Sequence, residues 1–275
     1  DTFEKKHDWL VCVDSDGCAM DTMDCKHFHC FGPCMVEEWQ LDAWRDPVLQ
    51  RWNDINLYSM TRGVNRFKGL AMALTEVNAR YTPIDGVQEL NDWVRTSPAL
   101  SNDALAAALA NGGHPVLAKA LAWSKAVNAA IVRLPEELKI PFAGAKEGLA
   151  AAKTFADVAI VSSANRDAVV EEWEKFGLLA HTDITLAQDC GSKAACIEKM
   201  LTFGYAPDHV LMVGDAPGDC DAAEKNGVWF YPILVRREAE SWEELRTKTL
   251  EIFQNGGYGD VQAEKKAAFL KNLGG

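Results

Sequence analysis

Two aspartates separated by a single residue, Asp14 and Asp16, follow a short apolar run near the start of the chain. The pair has the groups that phosphoryl transfer needs, because one carboxylate can attack phosphorus while the other, protonated, delivers a proton to the leaving oxygen. Gly17 lets the chain turn sharply after the pair. A polar turn without catalytic function accounts for these residues equally well, so the pair needs support from elsewhere in the chain.

Three later segments carry residues that could complete such a site. Ser162 follows an apolar run, and its hydroxyl and the next N–H groups could hold a phosphoryl oxygen. Lys193 begins a predicted helix and could neutralise charge on the nucleophile and the phosphate together. Asp215 and Asp219, four positions apart after another apolar run, could hold a hard cation through oxygen ligands. Taken singly, a capping serine, a solvated lysine and a polar turn are the simpler interpretations.

Four short apolar runs are predicted to be the strands that position these residues. The first three each lead towards helix-like sequence, so strands and helices alternate as in a doubly wound parallel sheet of the α/β class. Catalytic groups lie at the carboxyl ends of the strands in such sheets, which is where the candidate residues are found. The runs are residues 9–13, 158–161, 209–213 and, more weakly, 228–231.

The long segment between the first and second runs differs in character from the rest of the chain. Helical periodicity dominates it, and residues 104–110 and 116–132 are rich in the helix formers Ala and Leu. Asn-Gly-Gly-His-Pro at 111–115 marks a turn between them. This segment is therefore predicted to be a separate helical domain. The tail from Glu238 onwards alternates charged and apolar residues and predicts two further helices.

The charge balance limits the partners that the protein is expected to bind. Forty acidic residues against 28 basic ones give a net charge of -12, which repels nucleic acids and anionic membranes. We find no run of about 18 apolar residues that could form a spanning helix. The charged first residues lack the apolar core of a signal peptide, so a cytoplasmic location is expected. The oligomeric state is left open.

Five potential metal ligands occur close together after the first motif. Eight cysteines in 275 residues are too sparse for a disulfide scaffold, so free thiols are expected. The cluster formed by Cys25, His27, His29, Cys30 and Cys34 offers thiol and imidazole ligands within ten residues. Its spacing does not follow a familiar zinc pattern. Ordinary buried thiols are therefore the favoured interpretation, and a metal site is the alternative.

In their order along the chain, the four polar segments resemble the four motifs of the haloacid dehalogenase superfamily. The resemblance covers residues 9–17 and about 141–235. The helical insertion resembles the cap of the subclass in which the cap lies between motifs one and two. The resemblance implies a Rossmann-like core of residues 1–21 and 141–275, and an inserted helical cap of residues 22–140.

The resemblance also implies a role for each matching residue. Asp14 would attack phosphorus and form an aspartyl-phosphate, and Asp16 would be the general acid and base. Ser162 and Lys193 would bind the transferring phosphoryl group. The Mg²⁺ ligands would be Asp14, the backbone carbonyl of Asp16, Asp215 and, directly or through water, Asp219.

A magnesium-dependent phosphatase for a small phosphorylated metabolite is the leading functional prediction. A phosphomutase of the same fold is the nearest alternative, and the motifs do not distinguish the two. Carbon–halogen cleavage is disfavoured because the dehalogenases that the chain resembles lack the second acid, which is Asp16 here. A phosphonate hydrolase would need a cap lysine, for which Lys26 and Lys68 are the candidates. A non-catalytic phosphate-binding regulator would have no need for all the motif residues.

Substrate-recognition candidates in the helical segment are few. Arg62 and Arg66 lie four positions apart and would share one face if that stretch were helical, from which they could contact a charged substrate. A solvated or salt-bridged face is the alternative interpretation. His27 and His29 follow the catalytic loop and could line the cap side, although a hinge with packed aromatic side chains is preferred.

Overall fold

Five parallel strands form the sheet that carries the candidate residues. The computed structural model of the chain describes residues 3–274. The strand order is β5-β4-β1-β6-β7, and two additional short strands, β2 and β3, form an antiparallel pair of their own. The strands are β1 Trp9–Val13, β2 Met20–Asp21, β3 Ile140–Pro141, β4 Ala156–Val161, β5 Ile184–Leu186, β6 Val210–Gly214 and β7 Trp229–Pro232.

Strand β1 lies at the centre of the sheet, between β4 and β6. Every residue of β4 and β6 is buried, which explains why these strands appear in the sequence as continuous apolar runs rather than alternating ones. Val13 pairs with Ile160 on one side and with Val213 on the other. The three strands therefore end at the same edge of the sheet, so the loops after Val13, Val161 and Gly214 are neighbours.

The predicted α/β class with a parallel sheet is confirmed. The predictions missed the short edge strand β5 and the β2–β3 pair, whose two or three residues carry little periodic signal. Strand β7 begins one residue later than predicted and includes Pro232. This proline is tolerated because β7 is an edge strand and pairs only with β6.

The chain divides into two compact units, one extending through Met23 and resuming at Glu136, the other Asp24–Pro135. The first unit contains the five-stranded sheet. Its core joins the inward faces of the strands to large side chains from the surrounding helices, among them Trp173 and Trp242. Its helices are α8 Ala145–Lys153, α9 Arg166–Lys175, α10 Lys193–Leu201, α11 Pro217–Lys225, α12 Glu238–Glu244, α13 Leu250–Gln254 and α14 Tyr258–Asn272.

The second unit is helical and has a separate core. Its buried side chains include an aromatic group of Trp52, Phe67, Trp93 and Trp123, whose rings lie edge to face against one another. Its helices are α1 Met23–Lys26, which begins one residue before the unit, α2 Gly32–Glu38, α3 Arg45–Leu57, α4 Arg66–Arg80, α5 Val87–Thr96, α6 Asn102–Ala110 and α7 Pro115–Val132. Helices α6 and α7 correspond to the two predicted Ala- and Leu-rich helices.

The C-terminal tail forms two helical stretches, as predicted. A π-helical turn at Leu245–Thr249 joins α12 to α13, and α14 follows after a short turn. Helix α14 covers β7: the Tyr258 hydroxyl donates to Phe230 O at 2.6 Å, and the Phe230 and Phe269 rings are 5.2 Å apart. Within residues 3–274, none of the helices is both long enough and apolar enough to span a bilayer.

Candidate active site

Asp14 lies just beyond β1, and both of its carboxylate oxygens have a defined partner. Its N–H donates to Val213 O at 3.0 Å, which extends the pairing with β6 by one residue. Oδ1 accepts from the Ser15 N–H at 2.7 Å. Oδ2 lies 2.7 Å from Nζ of Lys193. The carboxylate is therefore buried and oriented, as a nucleophile must be before it can attack a bound phosphate.

A tight turn after Asp14 fixes the shape of the candidate catalytic loop, residues 14–20. The Ser15 carbonyl accepts from the N–H groups of Cys18, Ala19 and Met20 at 3.2, 3.0 and 2.9 Å. Gly17 has a φ of +80°, a conformation that costs glycine little, and its N–H donates to Met20 O at 2.8 Å. The turn therefore has a fixed shape from which Asp14 and Asp16 project.

Asp16 is half-buried and has a different environment from Asp14. Its Oδ1 accepts a hydrogen bond from the hydroxyl of Thr22, which is fully buried. The Asp16 carboxylate does not belong to the cluster of carboxylates described below. This separation suits one acid that reacts and one that handles protons. The sequence offered no spacing rule that would have identified Thr22.

Ser162 follows the last residue of β4 and is buried. Its N–H donates to Leu186 O at 2.9 Å, and its Oγ accepts from the Ala164 N–H at 3.1 Å. The cap of α9 is Asn165 and not Ser162, so the simpler interpretation of this serine as a helix cap is wrong. With Oγ already accepting from the backbone, the hydroxyl hydrogen can be donated to a phosphoryl oxygen.

Lys193 is the first residue of α10 and places its ammonium between two carboxylates. Nζ lies 2.7 Å from Asp14 Oδ2 and 2.5 Å from Asp219 Oδ1. Burial alone would lower the pKa of the Lys193 ammonium, but Asp14 and Asp219 outweigh it and raise this pKa. Lys193 is therefore a permanent cation in the site, unlike the solvated surface lysine of the simpler interpretation.

Asp219 both caps α11 and contributes to the site. Its Oδ2 accepts from the N–H groups of Asp215 and Ala216 at 3.1 and 3.0 Å, while Oδ1 contacts Lys193. This close return is possible because residue 214 is glycine. A Cβ atom on Gly214 would lie 2.4 Å from Cβ, Cγ and Oδ2 of Asp219. The helix-cap interpretation of this segment therefore applies, and the same side chain also lies beside Lys193 among the candidate residues.

We expect Gly214→Ala to displace Asp219 and to weaken both the fold and the site. Overpacking of this kind costs about 1–3 kcal/mol of unfolding free energy, measurable by urea denaturation. Gly218→Ala is the matched control, because Gly218 lies in α11 with no atom within 4 Å of an added Cβ. That variant should be as stable as the parent chain or slightly more stable. Equal stability of the two variants would contradict the packing described.

Three carboxylates converge at this edge of the sheet. Asp14, Asp215 and Asp219 are buried, and each offers an oxygen within 4.8 Å of the others; across residues 3–274 no other set of His, Cys, Asp or Glu side chains meets this criterion. Burial raises the pKa of the Asp14 carboxyl, and Lys193 opposes that shift. When all three carboxyls are ionised, they and the one ammonium leave two negative charges in a buried space, which a divalent cation with oxygen ligands would balance.

Two buried tryptophans that the sequence did not single out contact the candidate catalytic loop. Trp173 Nε1 donates to Ser15 Oγ at 2.8 Å, and Trp242 Nε1 donates to Cys18 O at 2.9 Å. Both side chains are fully buried in the first unit. Trp173 lies on a helix that was predicted, but nothing in its spacing indicates which loop its indole reaches.

The two arginines proposed for substrate binding do not share a helix face. Arg62 is buried in the turn before α4, where one of its Nη atoms donates to Leu57 O at 2.8 Å. Arg66 is the first residue of α4, and its Nη1 contacts the Ser124 hydroxyl and the Asn128 side chain at 3.0 and 2.8 Å. The stretch between them is not helical, so the condition for a shared face is not met. A substrate-binding role for either residue stays a prediction.

The Cys/His segment follows one continuous helical path through α1, a π-helical turn at His27–Phe31 and α2. His27 Nδ1 accepts from Trp52 Nε1 at 3.0 Å, and its ring stacks on Phe31 at 4.6 Å. All eight cysteines are free thiols, and burial raises the pKa of Cys30 to about 11. A metal site here is not supported, because the described side chains do not bring three ligand atoms together.

Comparison with known proteins finds one matching family model and many solved structures of similar fold. A family model described as haloacid dehalogenase-like hydrolase matches residues 108–233, a stretch that contains Ser162, Lys193, Asp215 and Asp219. No curated protein gives a significant match.

Three solved structures illustrate the likeness of fold. A haloacid dehalogenase-like family hydrolase from Streptococcus pneumoniae has a TM-score of 0.53 at 12% identity and covers 90% of this chain and 97% of its own. A candidate β-phosphoglucomutase from Thermotoga maritima has a TM-score of 0.52 at 15% identity, and the match covers 89% of this chain and 99% of that protein. A candidate phosphoglycolate phosphatase from Lactobacillus delbrueckii subsp. bulgaricus has a TM-score of 0.52 at 12% identity, and the match covers 82% of this chain and 86% of that protein.

Proposed function

We propose that this chain, which belongs to the haloacid dehalogenase superfamily, catalyses phosphoryl transfer. Within that superfamily we assign it as a magnesium-dependent phosphatase that hydrolyses a small phosphorylated metabolite. The observation that carries this proposal is the placing of Lys193 between Asp14 and Asp219, beside a third carboxylate, Asp215. This set has the charges needed to hold a divalent cation and a phosphate beside a nucleophile.

Asp14 is proposed to attack phosphorus and form an aspartyl-phosphate. As the bond from phosphorus to the leaving oxygen breaks, Asp16 donates its proton to that oxygen. Asp16, now ionised, then takes a proton from water as the water oxygen attacks the same phosphorus. The bond to Asp14 breaks, which releases inorganic phosphate and restores both acids. The contact between Asp16 and Thr22 supports this role by holding the second acid in a defined position.

The remaining residues of the site would bind and neutralise the transferring group. Ser162 can donate its hydroxyl hydrogen to a phosphoryl oxygen, and Lys193 can neutralise a second one. When bound, Mg²⁺ would supply charge neutralisation for the phosphate and the clustered carboxylates. Its ligands would be Asp14, the backbone carbonyl of Asp16, Asp215 and, directly or through water, Asp219.

The helical unit is proposed to be the cap that selects the substrate. Arg62 and Arg66 are the candidates in this unit for binding a second charged group of the substrate, and Arg66 is the better one. Arg66 forms no ion pair with a carboxylate of the described residues, and burial lowers the pKa of its guanidinium. A desolvated guanidinium of this kind binds an oxyanion strongly.

The same proposal includes a cytoplasmic location and a small phosphorylated substrate as the partner, with no nucleic-acid or membrane partner.

Metal removal tests the proposed function directly. Hydrolysis of an aryl phosphate should stop after dialysis against EDTA and should return when excess Mg²⁺ is added, because two net negative charges otherwise repel the substrate dianion. A panel of phosphorylated sugars, nucleotides and amino-alcohols would then identify the substrate class. If neither the aryl phosphate nor the panel releases phosphate with Mg²⁺, the phosphatase assignment is wrong. Phosphate retained in an isomerised product would indicate a phosphomutase.

The proton-transfer role of Asp16 predicts a dependence on the leaving group. Asp16→Ala should lower kcat for alkyl phosphates by about 10²-fold or more, because an alkoxide must be protonated as it leaves. The loss should be much smaller for aryl phosphates, whose leaving groups are stable anions. Both kcat values are measured with the same enzyme preparation. Equal losses for the two classes would show that Asp16 does not act as the acid.

A further inference from the structure

Ser15 lies between the two catalytic aspartates, and each of its polar groups is occupied. Its N–H donates to Asp14 Oδ1 at 2.7 Å, and its carbonyl closes the catalytic turn by accepting three N–H groups. Its hydroxyl accepts from the Trp173 indole at 2.8 Å. The side chain has no exposed surface. Ser15 is therefore too enclosed to contact substrate. Because its N–H binds the Asp14 carboxylate, a shift of Ser15 would also shift that carboxylate.

Trp173 connects Ser15 to a different part of the site. It lies on α9, the helix that follows Ser162 and the phosphate-binding loop after β4. The hydrogen bond joins residues 158 positions apart in the chain, one just after β1 and the other on the helix that follows the neighbouring strand β4. The nucleophile loop and the helix that follows the phosphate-binding loop are therefore joined by one directional contact.

Core packing alone does not explain a buried hydroxyl–indole pair. Replacing both partners of a hydrogen bond with apolar groups of the same shape is often close to neutral for stability. A hydrogen bond adds direction, and direction matters here because the reacting atoms must be aligned closely. A misplacement of about 1 Å in such a site can lower the rate by about 10²-fold.

We propose that Trp173 is a positioning residue for the nucleophile Asp14, acting through the hydroxyl and backbone N–H of Ser15. This inference rests on the proposed phosphatase function. Because Asp14 reacts with every substrate, the contact should affect turnover whatever the leaving group. It should affect kcat more than KM, since substrate binding does not depend on the angle of attack.

Kinetics of single and double variants test the proposal. Trp173→Phe and Ser15→Ala should each lower kcat by about 10-fold for aryl and alkyl phosphates alike, with little change in KM. The double variant should lose no more than about the larger single effect, because both changes remove the same contact. Tyr231→Phe is the matched control for Ser15→Ala: it removes a buried hydroxyl in the same unit, the one that donates to Ser241 O. It should lower stability about as much as Ser15→Ala while kcat stays unchanged.

Hydrogen exchange provides a readout that does not need turnover. In Trp173→Phe, the amides of Cys18, Ala19 and Met20 should exchange about 5-fold faster or more, because the carbonyl that accepts them is less well held. The same amides should be unaffected in Tyr231→Phe. Unchanged kcat in the Trp173 and Ser15 variants of an active enzyme would overturn the inference and leave the phosphatase function intact. If the parent chain proves inactive, unchanged exchange would overturn it independently.

Discussion

Asp14→Asn is expected to abolish turnover, with a loss of about 10⁴-fold or more in kcat, because the amide cannot form the aspartyl-phosphate. The substitution keeps the size of the side chain and removes one of three clustered negative charges. The fold should therefore survive, with a thermal midpoint within about 5 °C of the parent value. Phosphate release and a thermal denaturation curve on the same sample measure both effects.

Two further observations make the Asp14→Asn result specific. The Mg²⁺-induced rise in thermal midpoint should be smaller than in the parent chain, because one proposed ligand has lost its charge. Asp221→Asn serves as the control: Asp221 is exposed on α11, and its replacement should change neither turnover nor the response to Mg²⁺. Substantial residual turnover in Asp14→Asn would mean that another group is the nucleophile.

Lys193→Met is expected to lower kcat/KM by about 10²- to 10³-fold, because it removes the cation that offsets phosphoryl charge. Methionine preserves much of the apolar stem but leaves Asp14 and Asp219 facing each other without the ammonium. Breaking a buried pair in this way costs roughly 3–5 kcal/mol of unfolding free energy in metal-free buffer. Urea denaturation with and without Mg²⁺ measures the cost.

The metal response separates the two roles of Lys193. Added Mg²⁺ should restore much of the lost stability, since a cation between the carboxylates replaces the missing charge, but it should not restore activity. Lys199→Ala, an exposed position on the same helix α10, should leave both properties unchanged. If Lys193→Met keeps full activity, the ammonium plays no part in neutralising the phosphate.

The main strands of the sheet and most of the candidate site could be predicted because their signals are local. Strands β1, β4 and β6 are buried on both faces, so each appears as an unbroken apolar run that ends at a polar motif. Parallel pairing then brings those ends together. The edge strand β5 could not be predicted in the same way, because it has only three residues, two of them only partly buried, and they form no comparable apolar run.

The arginine pair shows where local reasoning fails. A spacing of four residues indicates a shared face only inside a helix, and the chain turns between Arg62 and Arg66. The turn is stabilised by contacts such as that of Arg62 with Leu57 O, which depend on the surrounding packing. The Cys/His segment is a similar case, because closeness in sequence did not bring the ligand atoms together.

The sequence by itself determined which residues could react, since Asp14, Asp16, Ser162, Lys193 and Asp215 each follow a recognisable strand or begin a recognisable helix. The tertiary structure alone decided how they are held. Thr22 contacts Asp16 and Trp173 contacts Ser15 through their side chains, and the Asp219 side chain packs closely against the backbone of Gly214; no local pattern specifies these contacts. The physical reason is that periodicity reports the face on which a residue lies, whereas a hydrogen bond depends on distances set by the packing of the whole unit.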